Sequence, residues 1–231
     1  MTADTQPRPV AVVTGVSSGI GAAVAQRLLD DGWAVFGVSR RRPNPDHPGL
    51  SWVEADLTAP GAVETVAAAV PDPTAVVHAA GILRSGYLGE LEAEAFEAMW
   101  RLHVEIPTRL VDALSSRLAT GGRIVLIGSR TSTGVAGKSQ YAATKAALDG
   151  LSRSWAIELA PRQITVNVVA PGATRTPMLD DPARAATPPQ LPRLGRFIEP
   201  AEIADLVGFL LGPSGRSITG QRLVVCAGAS L

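Results

Sequence analysis

Tyr141 and Lys145 stand four residues apart in "QYAATKAAL", residues 140–148, a run of helix formers in a chain with only two tyrosines. Positions i and i+4 lie one turn apart on the same helix face, so phenol and ammonium can project into the same space. A phenol titrates near 10, too high for ready proton exchange at neutral pH, but a cation held beside it favours phenolate and lowers that value. Such a pair can give a proton to a carbonyl oxygen or take one from an alcohol. A hydroxyl that keeps the substrate oxygen in register with the phenol is offered by "IVLIGSRTSTG" (124–134), where Ser129 and Ser132 are both candidates.

A second feature binds rather than reacts. In "VVTGVSSGIGAAVAQRL" (12–28) an apolar run is followed by Gly15, Gly19 and Gly21 and then by a helical pattern. Absent side chains allow a tight turn and close approach of a pyrophosphate, and a helix N-terminus offers free N–H groups and the positive end of its dipole. The expected ligand is a dinucleotide. The next apolar run ends in "GVSRRR" (37–42). A carboxylate at that place would bind the adenosine ribose hydroxyls and repel a 2′-phosphate; Ser39 followed by Arg40 and Arg41 favours the phosphate, hence NADP(H). Arg42 reads as a solvated loop residue.

These groups need a frame. Short β-branched runs at 10–15, 34–39, 51–56, 75–81, 123–129, 164–172 and 222–228 alternate with helical segments near 20–31, 61–70, 92–119, 140–160 and 200–211. The alternation predicts an α/β fold: a doubly wound, parallel, seven-stranded sheet with helices on both faces, a Rossmann fold in one domain over 10–231. "RRRPNPDHPG" (40–49) replaces one helix by a loop. Residues 176–196, with five prolines, should form an irregular flap over the substrate.

Composition limits the partners. With 21 acidic and 21 basic residues the formal charge is zero, which gives no general attraction to nucleic acid or to an anionic membrane. Cys226 is the single cysteine, so the chain forms no internal disulfide and has no cysteine-based metal site; no metal is expected. Residues 1–9 are polar and carry prolines, read as a disordered lead without a secretory signal, and no apolar stretch has the length of a membrane span. A cytoplasmic protein is expected.

The motifs together resemble the short-chain dehydrogenase/reductase family. "TGVSSGIG" (14–21) is similar to its T-G-x-x-x-G-I-G turn and Tyr141-x-x-x-Lys145 to its Y-x-x-x-K. "HAAG" (78–81) looks like N-N-A-G, "VNVVAPGATRTPM" (166–178) like V-N-x-V-x-P-G-x-x-x-T, and "ITGQRLVVCAG" (218–228) like the closing T-G-x-x-x-x-V-D-G-G. The likeness runs in order from about residue 9 to 230. It implies a cofactor site made of Gly15, Ser17, Ser18, Gly19, Ile20 and Gly21 at the phosphates, Ser39, Arg40 and Arg41 at the ribose, and Asp56 and Leu57 at the adenine. Ala79, Ala80 and Gly81 would pass under the adenosine ribose. Pro171, Gly172, Thr174 and Thr176 would meet the nicotinamide end, and Lys145, with Tyr141, its ribose. Alignment of "IVLIGS" with the family's I-V-N-I-S-S prefers Ser129 over Ser132, so the implied catalytic set is Ser129, Tyr141 and Lys145.

Two departures stand out. His103 occupies the place of an asparagine that kinks the long helix and helps hold a proton-relay water, and His78 that of the first asparagine of N-N-A-G. The implied activity is hydride transfer between NADP(H) and a carbonyl or secondary alcohol of a small molecule. The substrate is 3-oxoacyl-like or, from "AAGILRSG" (79–86), a cyclic alcohol or diol. The alternative is a non-catalytic nucleotide-binding regulator on the same fold. A homotetramer is implied, formed by the helices near 92–119 and 140–160, with Ala142, Ala146, Leu148 and Leu151 as interface candidates.

Overall fold

The computed structural model describes residues 8–44, 47–184 and 187–231; residues 1–7 of the expected disordered lead lie outside the described residues. Among the described residues seven strands form one parallel sheet: β1 Val10–Thr14, β2 Ala34–Ser39, β3 Leu50–Glu54, β4 Ala75–His78, β5 Arg123–Ile127, β6 Thr165–Pro171 and β7 Arg222–Val225. Their spatial order is β3-β2-β1-β4-β5-β6-β7. In β1, Val12 faces Phe36 of β2 on one side and Val76 of β4 on the other. The strand order reverses between β1 and β4, the place where an open α/β sheet leaves a crevice beyond its carboxyl ends.

Both sheet faces are covered, which is why the strands read as continuous apolar runs rather than alternating ones. Val12, Val76, Ile124 and Val166 face one core with Val66, Leu110 and Leu148 from helices α2 (Ala62–Ala69), α4 (Ile106–Ser115) and α5 (Ser139–Leu159). Ala11, Val13, Val77 and Val125 face the other with Leu28 and Ile203 from α1 (Gly19–Asp30) and α6 (Pro200–Leu211). The α6 start is set by Pro200 in the first turn and by a reciprocal cap between Glu199 and Glu202. Inside β6 the buried Asn167 donates 2.7 Å to the Ile218 carbonyl and accepts from Gln221 N–H at 3.1 Å, which fixes the lead into β7. Among the described residues of 40–49 there is no helix, and no helix of the described residues is long and apolar enough to cross a membrane.

Several strands are shorter than their apolar runs. The ladder ends at His78, Ile127, Pro171 and Val225, so residues 79–81, 128–129 and 226–228 peel away as loops at the crevice. The expected long helix is likewise broken. Helix α3 (Ala93–Trp100) passes through a wider π turn, Arg101–Glu105, into α4. Ile106 N–H bonds five residues back to the Arg101 carbonyl, and Pro107 has no N–H, so neither can serve the Leu102 carbonyl. Two interface candidates also change sides: Ala142 is 7% and Leu148 0% exposed, both turned into the chain's own core.

The flap is an excursion closed at its base. Thr174 and Ile198 form an isolated bridge, with Arg175 N–H on the Ile198 carbonyl at 2.8 Å and Ile198 N–H on the Ala173 carbonyl at 3.0 Å. Between them lie two short 3₁₀ turns, Pro177–Asp180 and Pro182–Arg184.

Candidate active site

One cleft of about 2000 Å³ runs along the carboxyl ends of the strands, and every residue assigned to the site from the sequence lines it. Its floor is the glycine turn. A Cβ on Gly21 would come within 2.4 Å of the Gly15 carbonyl oxygen, and one on Gly15, at φ +78°, within 2.9 Å of Ala80 N. These two positions admit no side chain without displacing backbone. Ser18 caps α1 in an extended conformation, yet its side chain makes no cap hydrogen bond, so the first N–H groups of α1 open onto the cleft. Free helix-terminal donors above a turn stripped of side chains fit a pyrophosphate.

At the end of β2 the structure refines the expectation. The Ser39 hydroxyl does not reach outward: it donates to the Arg41 carbonyl at 2.7 Å and accepts the Trp52 indole N–H at 3.2 Å. Ser39, 7% exposed, thus pins the backbone on which Arg40 and Arg41 are carried into the cleft lining. Arg42 instead lies over the Trp52 ring, 5.8 Å from its centre. Asp56 also has local work: Oδ1 accepts the Thr58 N–H at 2.9 Å and the Thr58 hydroxyl at 2.7 Å, which holds its carboxyl below the usual range.

Helix α5 delivers Tyr141 and Lys145 together, 7% and 5% exposed. Of the two serines only Ser129 lines the cleft; Ser132 accepts from Arg222 at 3.0 Å, away from the phenol. Ser129 Oγ accepts the Thr131 N–H at 3.1 Å and acts on the Tyr141 phenol, favouring its ionised form. Lys145 Nζ donates to the Ile127 carbonyl at 2.9 Å and sits 6.0 Å from the Tyr141 ring centre. The electrostatics differ from the simple expectation. Burial pushes the Tyr141 phenol above 10, and the opposing pull comes from Ser129 and from the Arg184 guanidinium, not from Lys145. Burial in turn lowers Lys145 to about 7, which weakens the cation that would favour phenolate.

Both histidines are locked. The Leu102 carbonyl left open by the π turn accepts from His78 Nε2 at 3.0 Å. His78 Nδ1 then accepts from the Thr14 hydroxyl at 3.0 Å, and Thr14 Oγ1 accepts the N–H groups of Ala79 and Ala80, each at 3.1 Å. His103 Nε2 accepts the Ile82 N–H at 3.1 Å; Nδ1 therefore carries the proton and donates to Thr144 Oγ1 at 2.9 Å. The Thr144 hydroxyl donates in turn to the Tyr141 carbonyl at 2.9 Å. Burial, and after it the neighbouring Lys145, pushes His78 down to about 3 and His103 well below its ordinary value. Neither ring has a free proton or a free lone pair. Nothing in the residue types foretold Thr14 and Thr144 as the partners.

A family model described as Enoyl-(Acyl carrier protein) reductase matches residues 15–230. The 3-oxoacyl-[acyl-carrier-protein] reductase FabG of Vibrio cholerae is 37% identical, over 95% of this chain and 96% of that protein. Carbonyl reductase family member 4 of Danio rerio is 37% identical over 96% and 98%. Among solved structures, a short chain dehydrogenase from Burkholderia cenocepacia in complex with NADP superposes with a TM-score of 0.85 at 35% identity, over 96% of this chain and 98% of that one. The chain belongs to the short-chain dehydrogenase/reductase family. Its class of chemistry is that of an oxidoreductase acting on a carbonyl or alcohol.

Within the family pattern the relay position is where this short-chain dehydrogenase/reductase departs. The kink expected of an asparagine is present as the π turn, but His103 has both ring nitrogens engaged in joining that turn to α5.

A neutral buried His78 makes stability fall with falling pH. Its folded value lies below the unfolded 6.5, so between about pH 6.5 and 3 the unfolded chain takes up a proton that the folded one refuses. His78→Asn can still donate to Leu102 and accept from Thr14 but does not titrate. Urea denaturation at pH 7, 6 and 5 should show the variant's decline below pH 6 shallower than wild type by up to about 1.4 kcal/mol per pH unit. Parallel curves would mean that His78 is charged in the folded chain.

Proposed function

We propose that this chain reduces the carbonyl group of a small molecule with NADPH, Tyr141 supplying the proton. The observation that carries the reading is the phenol of Tyr141 beside Lys145, lining with Ser129 the same cleft as the glycine turn and Arg40 and Arg41. Burial keeps that phenol protonated at neutral pH, the state a general acid needs when an oxygen gains charge. The nicotinamide, when bound, supplies the hydride to the carbonyl carbon. Ser129 holds the carbonyl oxygen against the phenol. Lys145, tethered to Ile127, stands ready for the nicotinamide ribose, and Gly81 lies beside it against His103, whose Nε2 a Cβ there would approach to 3.2 Å.

NADP(H) is favoured over NAD(H) because Arg40 and Arg41 occupy the end of β2, where a carboxylate would oppose the extra phosphate. A neighbouring structure at 32% identity, a blue fluorescent protein from a metagenomic library, is a complex with NADPH and supports the same choice. The names of the relatives favour 3-oxoacyl compounds over cyclic diols. The family pattern also supports a cytoplasmic homotetramer of single-domain subunits, and apolar side chains left outside, Ile157 of α5 at 76% and Trp100 of α3 at 42% exposure, suit the α3–α5 face for contact. Light scattering at micromolar concentration should then give four times the chain mass of 23.9 kDa, and a monomer would sink that assembly.

Changing Arg40 and Arg41 together to alanine removes the charged donors for the phosphate. The ratio of kcat/KM for NADPH over NADH should drop by roughly ten- to a hundredfold. A ratio equal to wild type would refute the cofactor assignment.

Tyr141→Phe keeps the ring in α5 and deletes the group proposed to deliver the proton. Turnover should fall on the order of a hundredfold or more, while NADPH affinity, followed by fluorescence titration, stays near wild type. Near-normal turnover would assign the proton to another group, and with both His103 nitrogens engaged Lys145 and water would be the next to test.

A further inference from the structure

The chain is neutral overall, but its charge is unevenly placed around Tyr141. Three segments enclose the cleft beyond the phenol: the loop after β4, the connection from Ser129 into α5, and the flap. Every charged residue that they contribute to the lining is a cation: Arg84, Arg130, Lys138, Arg184 and Arg193. The acids that line the cleft, Asp56, Glu94, Glu97 and Glu105, come from the loop after β3 and from α3 with its π turn.

Arg184 is the most telling of these cations. It closes the second 3₁₀ turn of the flap, with Nη1 donating to the Met178 carbonyl at 3.3 Å, while its Nε is buried without an acceptor. Thr187, 7% exposed and lining the same cleft, has a hydroxyl that is also buried without a partner. A buried N–H and a buried hydroxyl are each unfavourable until a ligand atom reaches them. Arg184 lines the same cleft as the Tyr141 phenol, and the two act on each other through charge. Asp180 and Asp181 act on Arg184 in the same way, and Asp181 sits 3.9 Å from Arg84. Burial, and after it the like charges of Arg184 and Arg130, disfavours the charge on Lys138. An anion placed among these groups relieves that repulsion and supplies the missing acceptors.

We propose that the substrate carries an oxyanion, a carboxylate or a phosphate, close to its carbonyl group, and that Arg184, Lys138 and Thr187 bind it. The proposal rests on the reading of Tyr141 as proton donor to a carbonyl, because that fixes which end of the cleft receives the substrate. Held there, the anion would turn the carbonyl oxygen toward Ser129 and Tyr141.

Matched pairs test it: acetoacetate, levulinate and 2-oxobutyrate each against its methyl ester, and dihydroxyacetone phosphate against dihydroxyacetone, with NADPH. At least one anion should exceed its neutral partner at least tenfold in kcat/KM. Arg184→Ala should bring that ratio to within about threefold of unity, chiefly through KM, and Arg184→Lys should restore part of it, since a point charge replaces the planar fork. The pair that responds distinguishes carboxylate from phosphate. Neutral partners equal to the anions throughout, or a ratio untouched by Arg184→Ala, would overturn the proposal. Calorimetric titration of the NADP-loaded protein with 3-hydroxybutyrate and with inorganic phosphate separates the two readings. Anion binding that Arg184→Ala abolishes, without turnover of any ketone, would keep the anion site and sink the reductase reading. Reduction of neutral ketones without anion binding would do the reverse, and failure of both would sink both.

Discussion

The burial of Lys145 is the constraint around which the rest of the site is arranged. A lysine 5% exposed has its ammonium on one backbone carbonyl, that of Ile127, and its charge is weakened to about 7 by lack of water. A second positive charge in the same space would make the position untenable. Lys145 disfavours charge on both His78 and His103, and both rings are held neutral, each by a donor on one nitrogen and an acceptor on the other. Tyr141 is kept neutral by the same burial. The site thus holds four titratable groups with little net charge, a state that an incoming dinucleotide and a developing oxyanion can polarise.

The locked histidines also connect parts of the fold that share no strand or helix. Pro107 and the π turn leave the Leu102 carbonyl unserved; His78 serves it and is itself fixed by Thr14, which in turn holds the N–H groups of Ala79 and Ala80. Ala80 is the residue against which Gly15 packs most closely. A defect in one helix is therefore tied to the turn that fits the phosphates. His103 makes the parallel link from that helix to the carbonyl of Tyr141 through Thr144. At both positions one ring nitrogen meets a backbone group and the other a threonine hydroxyl, so each histidine joins two segments at once. The π turn has a sequence cue in Pro107, but the cue says only that hydrogen bonds are lost, not which neighbour supplies the replacement.

Fold and site differed in how far they could be read from the residues. Strand–helix alternation depends on local pattern, and the seven strands and the glycine turn follow from it because a parallel sheet covered on both faces needs unbroken apolar runs. The strand ends were harder: "HAAG" and "IVLIGS" look as extended as the strands before them, and only the sheet's ladder shows that 79–81 and 128–129 leave it. Tyr141 and Lys145 were legible from i, i+4 geometry, but the sign of the phenol's shift was not, since it depends on how much protein lies around it and on a flap arginine 43 positions downstream in the chain. Ser39 was expected to face the cofactor, whereas its hydroxyl is satisfied by Arg41 and Trp52. In each case the missing information is which neighbour in space the group meets.

Charge along the cleft completes the physical picture. Arg40 and Arg41 line the cleft at the end of β2, and the flap, with the segments facing it, gathers a second set of cations on the lining. Because acids elsewhere bring the total to zero, the chain has no net attraction for anions at a distance, and screening at physiological salt confines each cluster's influence to about 8 Å. Selection between ligands must then occur inside the cleft, where burial strengthens each charged hydrogen bond. Neutral burial at the reacting centre and concentrated charge at the two ends are complementary. The ends can bind and orient anionic groups strongly, while the phenol between them keeps the proton that the chemistry requires.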